Sequence, residues 1–161
     1  MIRKVEKEDL SECAQLIKQA FFTVAQEFSI TENNAPGYVA FAVNENKLQK
    51  QFNEGRKMFA YFDGDKMIGF YSLVFFDEEC ELNNLCVLPP YRHKRFGKEL
   101  LLHSFKIAKS RGCKKINICI VEENKLLRDW YIKFGFVPLY IKKFDFFPFT
   151  CGYMQKDICN D

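Results

Sequence analysis

Apolar and polar positions alternate along the chain with two periods, and the changes from one to the other divide it into elements. Leu10, Cys13, Ala14, Ile17, Ala20, Phe21 and Val24 recur at helical intervals, so one face of an amphipathic helix is predicted there. Ile2 to Val5 precede it as a short strand, and Asp9 with Glu12 predicts a capping box between the two. "NNAPGYV" breaks the helix, and Tyr38 to Phe52 predict a second, less regular one. "RKMFAYF" and "MIGFYSLVFF" then flank "DGDK", and Asp-Gly between apolar runs signals a hairpin.

"CELNNLCVL" is a further strand, ended by Pro89 and Pro90, which lack the N–H that a ladder needs. Helical spacing returns from Phe96 to Arg111, with Gly112 as its stop. "KKINICIVE" alternates as a strand, Asn124 can cap the helix that carries Leu127, Trp130, Tyr131 and Phe134, and Gly135 ends it. "FVPLYIKKFDFF" and "FTCGYMQKDI" supply two final strands. The order β-α-α-β-β-β-α-β-α-β-β predicts an α/β layer structure around a mixed sheet.

Composition agrees with that reading. With 161 residues, 48% of them apolar, the chain can bury one substantial core, and no linker or repeat divides it. A single domain over residues 1–161 is expected. A net charge of +3 is too mild to suggest a nucleic-acid partner. Residues 1–30 hold no signal-peptide core and no apolar run approaches a membrane span, so a cytoplasmic setting without membrane contact is expected. Seven cysteines, at 13, 80, 86, 113, 119, 151 and 159, form no CxxC pair, and His93 and His103 have no metal-site spacing; reduced thiols and no metal are expected.

Charge is concentrated where a strand turns into a helix. Arg92, Lys94, Arg95 and Lys98 surround a predicted helix N-terminus, whose unpaired N–H groups and dipole attract anions such as a pyrophosphate, with Gly97 letting backbone approach closely. A solvated basic turn is the competing reading. Neither a P-loop nor a dinucleotide fingerprint is present.

"LCVLPPYR" (85–92) matches a strand end of the form L-x-V-x-P-x-x-R, and "RHKRFG" (92–97) matches a following Q/R-x-x-G-x-G/A loop except for Arg95 in place of the middle glycine. Downstream, Asn124, Tyr131, Gly135 and Phe136 match an Asn-begun helix ending in Y-x-x-x-G-F. In these blocks the chain resembles the GNAT superfamily of acyl-CoA-dependent N-acyltransferases.

The resemblance implies a single GNAT-like domain with a mixed, mostly antiparallel β-sheet flanked by helices and with splayed central strands. It implies acetyl-CoA as co-substrate. Its pantetheine arm would pair with the backbone of Leu85, Cys86 and Val87, its diphosphate would rest on His93, Lys94, Arg95, Phe96, Gly97 and Lys98 with Arg92 adding charge, and Asn124 would reach the arm. Tyr131 would be the acid that protonates the leaving thiolate, and Glu81 the base, with Glu78 and Glu79 as competitors. By strict alternation Glu81, Asn83, Leu85 and Val87 share one face of their strand and Leu82, Asn84 and Cys86 the other, unless a bulge changes the phase. Cys86 has no histidine nearby in sequence, and direct transfer is expected over an acyl-Cys route.

The implied activity is N-acetylation of a primary amine, of a small molecule in the leading reading and of a protein or peptide in the alternative, by a monomer or homodimer. A non-catalytic CoA-binding regulatory domain is the third reading. The acceptor site would come from residues 21–52 and 140–153, where Phe144, Phe146, Phe147 and Phe149 read as core.

Overall fold

The computed structural model describes residues 1–158, so Cys159 lies outside the described residues. After strand β1 (Ile2–Lys4) come helix α1 (Leu10–Glu27), the short α2 (Val39–Ala42) and α3 (Glu45–Asn53). Strands β2 (Lys57–Asp63), β3 (Lys66–Phe76) and β4 (Glu79–Val87) follow, then α4 (Phe96–Ser110), β5 (Lys115–Val121), α5 (Lys125–Lys133), β6 (Val137–Lys143) and β7 (Thr150–Asp157). The strands form one sheet in the order β1-β2-β3-β4-β5-β7-β6. Every neighbouring pair is antiparallel except β4 with β5. This is the α/β architecture with a mixed sheet that the element order predicts.

Helix α1 buries Leu10, Cys13, Ala14, Ile17 and Ala20, the stripe read from its spacing. Together with Met58, Ala60, Met67 and Phe70 from β2 and β3 they make the apolar layer on one face of the sheet. Each fully buried Leu or Ile there is worth about 1.5–3 kcal/mol. On the opposite face Leu100, Leu101 and Ala108 of α4 pack on Tyr71, Leu73, Leu82 and Ile116. Gly69 of β3 permits that approach, since a Cβ there would stand 2.7 Å from Leu100 Cδ1.

Two local expectations are displaced. The capping box lies one turn earlier than Asp9–Glu12: Asp9 is already helical (φ −82°, ψ −14°), and its carboxylate accepts the N–H of Glu6 at 2.7 Å. Arg3, donating at 2.8 Å to the same carboxylate, holds the Asp9 carboxyl below its ordinary pKa. Residues 38–52 form two helices rather than one, because extended Asn44 caps α3 by accepting the N–H of Lys47 at 2.8 Å.

The phase of β4 also changes. Its register with β3 slips between Phe70 and Ser72, and Asn84 adopts φ 57°. This bulge lets Cys80, Leu82 and Val87 share the α4 side, while Cys86 turns to the α1 side. Strict alternation, which groups Cys86 with Leu82, therefore fails at Asn84.

Candidate active site

Strands β4 and β5 are paired only from Glu79 to Glu81, opposite Lys115 to Asn117. Beyond that point they part. The gap opens into a cavity of about 240 Å³, walled by Leu82 to Leu85 of β4 and Ile118 to Val121 of β5. An unpaired strand edge facing a gap offers backbone donors and acceptors to an extended ligand.

Helix α5 closes one side of the gap with Asn124, Leu127 and Tyr131. Asn124 caps the helix by accepting the N–H of Leu127 at 3.3 Å, which aims Tyr131, two turns on, at the gap. Tyr131 is 5% exposed and packed edge-on against Trp130 and Phe136, at 5.1 and 5.2 Å between ring centroids. Burial, with a smaller push from the Cys86 thiol, raises its pKa, so the phenol keeps its proton at neutral pH. Burial likewise raises the Cys86 thiol, which leaves little thiolate there to act as a nucleophile.

Glu81 stands at the last paired position and does not line the cavity; Asn83 and Asn84, the next polar residues, do. It is half-buried, and its carboxylate is near enough to Cys119 on the cavity wall to help raise that thiol, which burial pushes up to about 12.

The basic turn lies between the end of β4 and the start of α4. His93 and Arg95 both have positive φ, 63° and 71°, and Arg95 is the residue before the first turn of α4. Its left-handed backbone explains why a glycine suits this place, since a side chain there is strained. Gly97, by contrast, needs no such freedom: a Cβ there would meet Val87 and Trp130 at an ordinary 3.8 and 3.9 Å. No side chain caps α4, so its first N–H groups face outward. His93, Lys94, Arg95 and Lys98 are exposed around them, and Phe96 is anchored by the rings of Tyr61 and Tyr91.

Arg92 has a different occupation from its neighbours. Its guanidinium donates to the carbonyls of Val87 (3.0 Å) and Ala20 (2.8 Å) and to Thr23 Oγ1 (2.9 Å), tying the end of β4 to α1. The Val87 carbonyl is thus engaged within the chain and Cys86 is paired with Phe70 of β3, so part of the backbone expected to hold a pantetheine is already bonded.

The far wall comes from the two segments, 21–52 and 140–153, that the family resemblance implies for the acceptor site, but which of their residues face the cavity was not legible. Phe21 and Val24 extend the buried stripe of α1 into the cavity, Tyr38 and Val39 follow the break at Pro36, and Phe147 and Phe149 come from the β6–β7 connection. Phe149 and Tyr38 are buried in a third apolar cluster with Ala25, Ile30 and Ala35. Phe147 and Phe149 therefore serve as cavity wall as well as core, Phe144 packs beneath them, and Phe146 is 62% exposed. Among the described residues no group of three His, Cys, Asp or Glu is placed to hold a metal, and no helix is long and apolar enough to cross a membrane.

With this geometry established, the comparisons with known proteins are specific. The model of the acetyltransferase (GNAT) family matches residues 16–136. A spermidine N(1)-acetyltransferase of Thermoplasma acidophilum is 28% identical over 141 residues, covering 84% of this chain and 86% of the relative. Among solved structures, a PaiA N-acetyltransferase from Thermoplasma acidophilum in complex with coenzyme A superposes with a TM-score of 0.83 at 23% identity, over 98% of each chain. The ribosomal-protein-S18-alanine N-acetyltransferase of Escherichia coli does so with a TM-score of 0.79 at 20% identity, over 98% of this chain and 93% of that one. At such identities these likenesses establish the shared fold.

Proposed function

The chain belongs to the acetyltransferase (GNAT) family, and from that premise we propose that it moves the acetyl group of acetyl-CoA to the primary amine of a small molecule, by direct attack within a ternary complex. One observation carries the reading: the gap between β4 and β5 has a protonated, buried phenol on one wall and an uncapped, basic helix N-terminus beyond the end of β4.

Acetyl-CoA fits that arrangement end to end. The open edge at Leu85, Cys86 and Val87 pairs with pantetheine amides, Asn124 reaches the same arm, and the N–H groups from His93 to Lys98 hold the diphosphate with Lys94, Arg95 and Lys98 adding charge. Arg92 contributes by fixing the strand end rather than by touching phosphate. In the reaction the neutral amine attacks the thioester carbonyl, a β4 N–H stabilises the oxyanion, and collapse expels the thiolate. Tyr131 gives its proton to that sulfur, and the phenolate recovers one from Glu81 through water or from solvent once the products leave. The proton lost by the amine leaves toward Glu81 through water held near Asn83, since Glu81 lies behind the cavity wall. The products are the N-acetyl amine and free CoA thiol.

A cavity of about 240 Å³ between the loop at Tyr38 and the turn at Phe147 suits a small acceptor. Thiol release from acetyl-CoA, followed over a panel of primary amines, tests the activity. Release with at least one amine is expected; CoA-dependent thermal stabilisation without turnover would instead mark a binding domain. Glu81→Gln should slow turnover roughly 100-fold. An unchanged rate would eliminate Glu81 as base.

A further inference from the structure

Resting on that reading of the site, we infer that the acceptor is an apolar monoamine: one primary amine on an aryl or alkyl body, with no second charge. The inference comes from what the cavity lacks. Tyr38, Asn83, Asn84, Cys119, Asn124, Tyr131 and Cys151 are its polar side chains, all neutral at pH 7, and every other lining residue is glycine or apolar. Among the described residues no carboxylate and no cation lines it.

An attacking amine must be neutral, so a monoamine enters this space without carrying charge. A polyamine cannot, because its remaining ammonium groups would lie against Phe21, Val24, Tyr38 and Phe149 with nothing to pair with. The rings offer little cation–π compensation: Phe147 and Phe149 stack on one another at 4.7 Å, and Tyr38 meets Phe149 edge-on at 5.6 Å.

The surroundings point the same way. The ammonium of Lys143 is held over the 144–147 turn by the carbonyls of Phe144 and Phe147, beside the aromatic wall. Glu123 accepts the N–H of Thr150 and keeps its charge, but it is not among the residues that line the cavity. A second cavity of about 140 Å³ adjoins the first across Gly37, Val39 and Asn84, and the charged side chain lining it is again a cation, Lys47. Charges of both signs stand close to the wall, Glu81 and Glu123 beside Cys119 and Cys151 as well as Lys143, but among the described residues neither cavity is lined by a carboxylate.

The test compares kcat/KM for phenethylamine, spermidine and phenylalanine with the full chain at saturating acetyl-CoA, measured by thiol release. Phenethylamine should exceed each of the others by at least about tenfold, the ratio that a modest desolvation penalty produces. Spermidine or phenylalanine equal to or better than phenethylamine would overturn the inference while leaving the acetyltransferase reading intact. Absence of turnover with all three and with the wider amine panel, in a protein that CoA still stabilises, would overturn both.

Discussion

At the α4 end of the cleft the consecutive residues His93 to Lys98 supply the charge, whereas the aromatic end draws its wall from α1, the loop before α2, β5 and the β6–β7 connection. The first region is exposed, charged and local; the second is buried, neutral and assembled from segments more than a hundred residues apart. Their tolerance should differ accordingly. Exposed charges interact with a ligand through screened, partly redundant contacts, so each counts for little. A buried wall positions groups by packing, and a single atom there has no substitute.

The largest effect is expected where the buried region meets the chemistry. Tyr131→Phe removes one oxygen from a ring already wedged between Trp130 and Phe136, and should lower kcat roughly 100-fold or more with the KM for acetyl-CoA nearly unchanged. Thiol-release kinetics decide it, and an unaltered kcat would take Tyr131 out of the acid role. Because burial raises this phenol's pKa, its proton stays in place at neutral pH and its loss should not set the alkaline limit of the rate near pH 8.

Next comes a pair that divides the basic turn itself. Arg92→Ala deletes the bonds to Val87, Ala20 and Thr23 and leaves their acceptors unpaired, which should cost about 2 kcal/mol and lower Tm by roughly 4–8 °C. Lys94→Ala, on an exposed side chain, should leave Tm within about 2 °C and weaken CoA binding by less than about tenfold, with a shallower salt dependence. Equal thermal shifts in the two variants would erase the distinction between brace and phosphate contact.

The smallest effect belongs to Arg95→Gly. Relief of the left-handed backbone, about 1 kcal/mol, is offset by the greater freedom that glycine has when unfolded, about 0.5–1 kcal/mol, so Tm should barely move. CoA affinity should fall a few-fold at low salt and converge with the parent at high salt. Tighter binding in the variant would mean that the arginine hinders the diphosphate instead of holding it.

Much of this molecule could be read in its sequence. The stripe of α1, the Asp-Gly hairpin between β2 and β3, the span of α4 and the cap at Asn124 all appear where periodicity and turn chemistry put them. The Asn83–Asn84 pair was visible as an oddity within an apolar strand, yet its meaning, a bulge with Asn84 at φ 57°, depends on pairing with β3. Arg92 illustrates the same limit. In sequence it is one more cation in a basic turn, and only the tertiary structure shows that three of its donors have partners already.

The sequence by itself determined which segments are helix or strand and where positive charge gathers, because both follow from residues a few positions apart. The tertiary structure decided which strand edge stays open, which carboxylate stands behind the wall and which aromatics face the cavity. Those are relations between segments far apart in the chain, set by which surfaces pack against each other, and no local pattern carries them.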